Sequence, residues 1–494
     1  MTSAGFLALI ALTNPPLASG DVPPDPADPT TVGLVMGGSG QPLPNFNVPD
    51  YVEHADEFYI HPNFPDTTYP APYADGLFTP EYPVFSMPFS LNDPNATTGP
   101  LAGFPDLYTS MGQDMLIVEN AIASNQAAGD ISTVFGYSQS STVSSLVMQQ
   151  LDPSSTPEPD DGLQFVLVGD PSAPNGGLLE RFDGLSLPSL GLSFDGATPA
   201  DDLPTDIYTI EYDGYADFPR YPIDVLADLN ALAGTIFIHG LYLDPSVISS
   251  DVLDKAFLLP GSEGLGADTL TNYYMIPLSA LPYPDDNLPL LQPLLGIPVV
   301  GKPLVDLIQP DLTVLVNLGY GVDNLGYSTP ANVPTPIGLF PDVNPATVLN
   351  ELAAGAQQGV SAFGSDMSDL SLSSLVPTAS PAPLASLTDL VTGLSVAASD
   401  PAATITDVVN AFTSAGASLS ALQLQTTDIV NAVLTSLPAY DISLVQEHLS
   451  NPLDAIGLPI AADTGLLTLV AGFEFELVDQ AITGVIDDFA ALAP

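Results

Sequence analysis

The sequence predicts an α/β fold, a mostly parallel sheet flanked by helices, and three observations predict it. Short β-rich apolar runs alternate with helix-spaced segments between residues 108 and 214. The apolar run in "TVGLVMGGSG", residues 31–40, ends in a glycine turn, the form in which a parallel sheet delivers backbone N–H groups to its carboxyl edge. With 494 residues, 46% of them hydrophobic, the chain can fill at least one large core.

The elements follow in order. Residues 1–20, "MTSAGFLALIALTNPPLASG", carry an apolar stretch from Gly5 to Leu12 and small residues at Ala18, Ser19 and Gly20. No Lys or Arg precedes that stretch, and the segment is expected to be an export signal lacking its basic start. Residues 21–30, "DVPPDPADPT", read as an extended Pro/Asp linker. After the first strand, aromatic and Pro-rich sequence to about residue 104 reads as irregular wrapping. "YTSMGQDMLIVENAIASNQA", 108–127, spaces Met111, Met115, Ile117, Val118 and Ala121 for one helix face. Strand "ISTVFGY", helix "SSTVSSLVMQQL" and strands "LQFVLVGD" and "DIYTIEYDG" then complete an α/β domain expected over 31–340.

Within it, residues 287–312 are strongly apolar but cut by prolines at 289, 293, 298, 303 and 310, which are expected to prevent a long helix. This segment reads either as core or as a lid over an acyl-chain site. Past 340 the composition turns to Ala, Ser, Thr, Leu and Val, and 341–494 is expected to be a separate, mainly helical appendage with a Ser/Pro linker near 364–386. Helical spacing recurs there in "PATVLNELAAGAQQGV" and in "AATITDVVNAFTSA" behind Asp400-Pro401. Apolar runs beyond the N-terminal segment are interrupted before the ~18 residues a spanning helix needs, so no integral membrane span is expected besides that segment.

Four Lys and Arg against 58 Asp and Glu give a formal net charge of -54. Such a surface repels phosphate backbones and anionic headgroups, which argues against nucleic-acid binding. Only 13% of residues are charged and the mean hydropathy is +0.29, a balance suited to work beside uncharged lipid. Cysteine is absent, which excludes disulfides, thiolate metal sites and cysteine nucleophiles. "EHADE", 53–57, reads as an acidic helix face, and neither calcium-loop nor zinc-pair spacing occurs. No metal or cofactor is expected.

The segment that carries chemistry is "VFGYSQSS". Gly136-Tyr137-Ser138-Gln139-Ser140 lies directly behind a strand and ahead of a helix, with small residues on either side of Ser138. In α/β-hydrolases a nucleophilic serine occupies such a turn, although an N-capping Ser138 or Ser140 would account for the same residues. A hydroxyl needs a base, and the chain has four histidines: His54, His61, His239 and His448. The order Ser, acid, His of that fold excludes the first two, and His448 falls in the helical region, which leaves His239. For the acid, Asp217 ranks first, Asp213 second and Asp170 third, although spacing alone barely separates the first two. Gly37, Gly38, Ser39 and Gly40 form the candidate oxyanion loop, acting with the backbone N–H of Gln139.

"LVMGGSGQPLP", "VFGYSQSS", "VGDPSAPNGG", "TIEYDGYADFPRYPIDVLADLNALAG" with "HGLY", and "VNLGYG" together resemble the PE-PPE domain of mycobacteria and relatives over roughly residues 31–340. That family is similar to cutinases and serine esterases, and its serine motif is G-x-S-x-S. The resemblance implies an α/β-hydrolase fold of cutinase or lipase type, with Ser138 as nucleophile, His239 as base and an aspartate of "YDGYADFP" as acid. An echo of the cutinase pattern in "ADFP" and in His239 to Tyr242 favours Asp217, although no cutinase-type disulfide can form. No helical PE or PPE module is expected ahead of the domain from these residues, a departure from the family pattern. The implied activities are hydrolysis of short to medium acyl esters, or acyl transfer onto an envelope glycolipid such as a trehalose ester, by a secreted or cell-envelope protein. A non-catalytic lipid-binding protein that keeps the fold is the reading from another class.

Overall fold

The computed structural model describes residues 29–79, 110–151, 162–187, 192–321, 323–369, 426–427 and 429–490. The expected export segment, most of the Pro/Asp linker and the helical pattern at 402–415 lie outside the described residues. In chain order the elements are β1 (Thr31–Val35), α1 (Pro44–Asn47), α2 (Tyr51–Ala55), β2 (Thr67–Thr68), α3 (Ser110–Ala128), β3 (Ile131–Tyr137), α4 (Gln139–Leu151), β4 (Leu163–Val168), α5 (Leu178–Arg181) and a ribbon of β5 (Ser186–Leu187) and β6 (Leu192–Ser193). They continue with β7 (Thr205–Ile210), α6 (Val225–Phe237), α7 (Ser250–Leu253), β8 (Phe257–Leu258), β9 (Thr271–Ile276), α8 (Gln292–Leu295), α9 (Gly301–Asn317), α10 (Pro345–Asp369), α11 (429–447) and α12 (Pro452–Ala490).

Seven strands form one sheet in the order β2-β1-β3-β4-β7-β9-β8, parallel throughout except where β8 runs against β9. Strand residues alternate between two buried faces, as a sheet covered on both sides requires. From β3, Val134 joins Val118 and Ile122 of α3 and Val143 and Val147 of α4, whereas Phe135 and Tyr137 join Tyr59, Ala227 of α6 and Val305 of α9. The chain leaves β1 for β2 on one side and returns to β3 on the other. This reversal makes the carboxyl ends of β1 and β3 the topological switch point, where ligands of such sheets bind.

The prolines of 287–312 do not prevent a long helix: Pro303 sits in the first turn of α9, where a missing N–H costs nothing, and Pro310 lies inside a helix supported by α10 along its length. Leu288, Leu291 and Val305 are core residues, while Ile297, Val300 and Leu304 are exposed. The segment is therefore anchored in the core by one face.

The C-terminal helices, in turn, are not a detached appendage. Leu437, Tyr440 and Leu444 of α11 and Leu458, Ala461, Ala462, Leu466 and Leu469 of α12 share one hydrophobic cluster with Phe182, Phe218 and Ala231 of the α/β domain. α12 comes so close that a Cβ at Gly465 would lie 2.8 Å from Pro222. Its stretch Pro452–Gly472 is long and apolar enough to cross a membrane by length and composition, contrary to the interrupted runs expected, because Pro459 is accommodated within the helix. Its buried face packs on the domain as a core helix does. The Ser/Pro linker expected from 364 starts inside α10, and the rest of it lies outside the described residues.

α6 carries a buried acid that makes stability depend on pH. Asp228 is fully buried, neither carboxylate oxygen has a hydrogen-bond partner among the described residues, and burial, reinforced by Asp224, pushes its carboxyl up to about 9. A carboxyl raised in the folded state stabilises fully below its unfolded value, and that contribution is lost as pH rises through the folded value. Asp228→Asn should therefore flatten the fall in Tm between roughly pH 5 and the alkaline range. Thermal melts across pH test this, and an unchanged slope would contradict it.

Candidate active site

β3 ends at Tyr137 and α4 begins at Gln139, so one residue, Ser138, makes the whole turn. It does so at φ 58°, a left-handed conformation that costs a non-glycine residue about 1–3 kcal/mol. Several contacts hold it there. The Ser138 N–H donates to Val168 O at 3.1 Å, and Ser138 O accepts from the amide of Ser141 at 3.0 Å, which starts α4. Gly136 is required because a Cβ there would lie 2.8 Å from Ser140 O. Ser140 closes the turn with its side chain: its Oγ accepts from the Tyr137 N–H at 2.8 Å and donates back to Tyr137 O at 3.1 Å. Ser141 Oγ donates to Val168 O at 3.1 Å. Two of the three clustered serines are thus buried and committed to backbone bonds, while Ser138 is partly exposed.

His239 stands in a short 3-10 turn directly after α6. Its Nε2 is 2.7 Å from Ser138 Oγ, and its Nδ1 lies 2.8 Å and 2.9 Å from the two carboxylate oxygens of Asp213. Asp213 is fully buried and also accepts the Tyr215 N–H at 3.0 Å and the Tyr242 hydroxyl at 2.7 Å. The Tyr215 ring lies 4.6 Å from the imidazole. Tyr137 donates its hydroxyl to His239 O, which fixes the backbone of the 3-10 turn.

The acid at His239 is thus Asp213, not Asp217. Behind β7 the chain turns sharply: Tyr212 adopts φ 65° and the Asp213 N–H bonds Ile210 O at 3.0 Å, which directs the Asp213 carboxylate to the sheet edge. Asp217 turns inward, and its Oδ2 accepts the Tyr212 N–H at 2.9 Å, so it stabilises the turn that carries Asp213. Burial holds the Asp217 carboxyl well above the usual carboxylate range, against the pull of that amide and of Arg181. Asp170 is elsewhere too, accepting from the Ser172 amide at 2.9 Å and the Thr198 hydroxyl at 2.6 Å, with burial pushing its carboxyl up to about 6.

The glycine turn after β1 reaches the same edge. Ser39 Oγ donates to Gln139 Oε1 at 2.7 Å, tying this turn to the first residue of α4, and a Cβ on Gly38 would lie 3.1 Å from the Tyr137 ring. Gly38 N–H donates to Gln41 Oε1 at 3.3 Å, and the Gln41 N–H returns a bond to Gly38 O at 2.9 Å. Gly38, Ser39 and Gln139 are therefore neighbours of Ser138. His448 lies in the turn directly after α11 with Nδ1 at Leu444 O, and Glu53 and His54 lie in α2, where His54 stacks on Phe58 at 5.5 Å. Tyr242 and Tyr215 were missed as members of the site. The spacing of Tyr242 three residues after His239 was visible, but nothing in the sequence says that its hydroxyl meets an aspartate.

The parallel sheet, the left-handed serine elbow and its place at the switch point of the sheet define an α/β-hydrolase-like protein. The chain matches the PE-PPE domain over residues 73–321, and it belongs to that family. It is 41% identical over 485 residues to the uncharacterized PPE family protein PPE28 of Mycobacterium tuberculosis, covering 94% of this chain and 68% of that protein. Its identity to the esterase PE16 of the same organism is 40% over 328 residues, 65% of this chain and 54% of that protein. A more distant relative, the diacyltrehalose acyltransferase Chp2 of M. tuberculosis, is 26% identical over 381 residues, 73% of this chain and 95% of that protein. The chain thus spans about half to two thirds of the length of PPE28 and PE16. No solved structure matches it significantly.

The elbow geometry gives a separate role to Ser140. Ser140→Ala leaves the Tyr137 N–H buried without a partner and should lower unfolding stability by about 1–3 kcal/mol. Urea titration measures it, and a stability equal to the parent chain would show that the hydroxyl does not hold the turn.

Proposed function

We propose that the protein is a carboxylic ester hydrolase that works through an acyl-enzyme on Ser138. The observation that carries this reading is the unbroken series Ser138 Oγ, His239 Nε2, His239 Nδ1 and Asp213 at hydrogen-bond distances of 2.7 to 2.9 Å. Ser138 Oγ attacks the ester carbonyl carbon while His239 Nε2 takes its proton, and the negative charge develops on the carbonyl oxygen. Backbone N–H groups of Ser39 and Gln139 are the candidate donors for that oxygen, and the Gly38 N–H would join them on releasing Gln41 Oε1. The imidazolium then gives its proton to the leaving alkoxide, and water, activated by the same nitrogen, releases the acid. Asp213 holds Nδ1 protonated and stabilises the imidazolium.

The esterase name of one relative at 40% identity supports the same chemistry. The substrate would be an uncharged acyl ester, since a net charge of -54 disfavours anionic headgroups. A second reading, acyl transfer, is favoured by the likeness to an acyltransferase that runs over 95% of that protein. It needs no change in the site: a sugar hydroxyl replaces water in the second half-reaction. The exposed apolar side chains Ile297, Val300 and Leu304 of the 287–312 segment remain candidates for an acyl-chain wall. Secretion or envelope association stays part of this proposal.

Ser138→Ala should abolish fluorophosphonate labelling and reduce p-nitrophenyl ester turnover about 10⁴-fold or more, while Ser141→Ala keeps labelling. Equal turnover by Ser138→Ala would overturn the reading. Supplying a trehalose-type acceptor with an ester donor separates the two half-reactions: acylated sugar in the products means transfer, and free acid alone means hydrolysis.

A further inference from the structure

We infer that Tyr242 is a positioning residue for the acid of this site, a third donor that sets how strongly Asp213 binds the imidazole of His239. Tyr242 is completely buried and its hydroxyl donates to Asp213 Oδ2 at 2.7 Å, the same oxygen that lies 2.8 Å from His239 Nδ1. The hydroxyl in turn accepts the N–H of Ile210, the last residue of β7, at 2.9 Å. One side chain therefore links the end of the strand that carries the acid to the turn that carries the base.

The surroundings are shaped around that ring. Gly169 adopts φ +56°, and a Cβ on it would lie 2.9 Å from the Tyr242 ring and 3.1 Å from His239 Cε1. Tyr59 donates to Tyr242 O at 2.8 Å and Tyr137 donates to His239 O, so the backbone of the whole turn from 239 to 242 is held at both ends. Burial, and after it the charge of Asp213, pushes the Tyr242 phenol well above its ordinary value, which keeps it a donor. With the Tyr215 amide on Oδ1 at 3.0 Å, the carboxylate accepts three donors and has one orientation.

The physical consequence has a definite sign. A hydroxyl donated to Asp213 draws off part of its charge and weakens its pull on the imidazolium, so removing it should make His239 more basic. A residue that only filled space would leave that basicity alone.

The inference rests on the proposed roles of Ser138, His239 and Asp213, but it is measured without turnover. In the full chain, His239 is titrated by NMR, its resonance identified among the four histidines by its loss in His239→Gln. Tyr242→Phe should move the measured His239 titration to higher pH. Replacing the Tyr242 ring by 3-fluorotyrosine, which keeps the bond and makes the phenol a stronger donor, should lower it, and this variant decides the matter if Tyr242→Phe does not fold. With an ester substrate, Tyr242→Phe should move the acid limb of the kcat pH profile to higher pH with KM unchanged. A His239 titration that moves in neither variant overturns the inference. A chain that hydrolyses nothing while the titration moves as expected would instead count against the esterase reading.

Discussion

Everything in the site depends on one backbone strain, the left-handed Ser138 between β3 and α4. A regular strand end would point the hydroxyl into a sheet face, and a regular helix start would spend it on capping its own amides. The strained turn instead lifts Oγ off the carboxyl edge, to 2.7 Å from His239 Nε2. About 1–3 kcal/mol of strain is offset locally by the Ser140 hydroxyl on both backbone groups of Tyr137, by the Ser138 amide on Val168, and by the absence of a Cβ at Gly136. A serine in the position where α/β-hydrolases usually carry a second glycine is therefore a working part of the turn.

The other half of the site is held by the buried connections after β7. Arg181 is fully buried, with its guanidinium donating to Phe218 O at 3.0 Å, Asn175 O at 2.6 Å, Ser328 Oγ at 3.0 Å and the Thr335 carbonyl and hydroxyl. Burial lowers it to about 10, opposed by Glu180 and Asp217, so it is charged at neutral pH. In a chain with four basic side chains, this one joins the loop after β7 to the segments around 175, 328 and 335. Asp217, which the echo of the cutinase pattern favoured over Asp213, belongs to this support: it braces the Tyr212 turn from behind while Asp213 faces the imidazole.

The fold class was legible because strand, glycine turn and helix patterns are local. Ser138 was legible because its turn needs small neighbours, and His239 because histidine is so rare that order along the chain excluded the others. The acid was not, since Asp213 and Asp217 are both within a few residues of a strand end and differ only by a left-handed residue at Tyr212, which no pattern announces. α9 was missed because proline propensity was weighed without the α10 surface that supports the helix, and the C-terminal region was detached on composition although α11 and α12 bury one face against Phe182 and Phe218. The export segment and the helical pattern expected at 402–415 lie outside the described residues.

The central claim is that Asp213 orients and charges His239 while Asp217 only supports the backbone. The most direct measurement compares kcat for ester hydrolysis in Asp213→Asn and Asp217→Asn, each with its Tm. Asp213→Asn should lose about 10⁴-fold in kcat through the wrong imidazole tautomer, while Asp217→Asn, which keeps an acceptor for the Tyr212 amide, should stay within about tenfold of the parent. The reverse ranking, with both variants folded, would contradict the account.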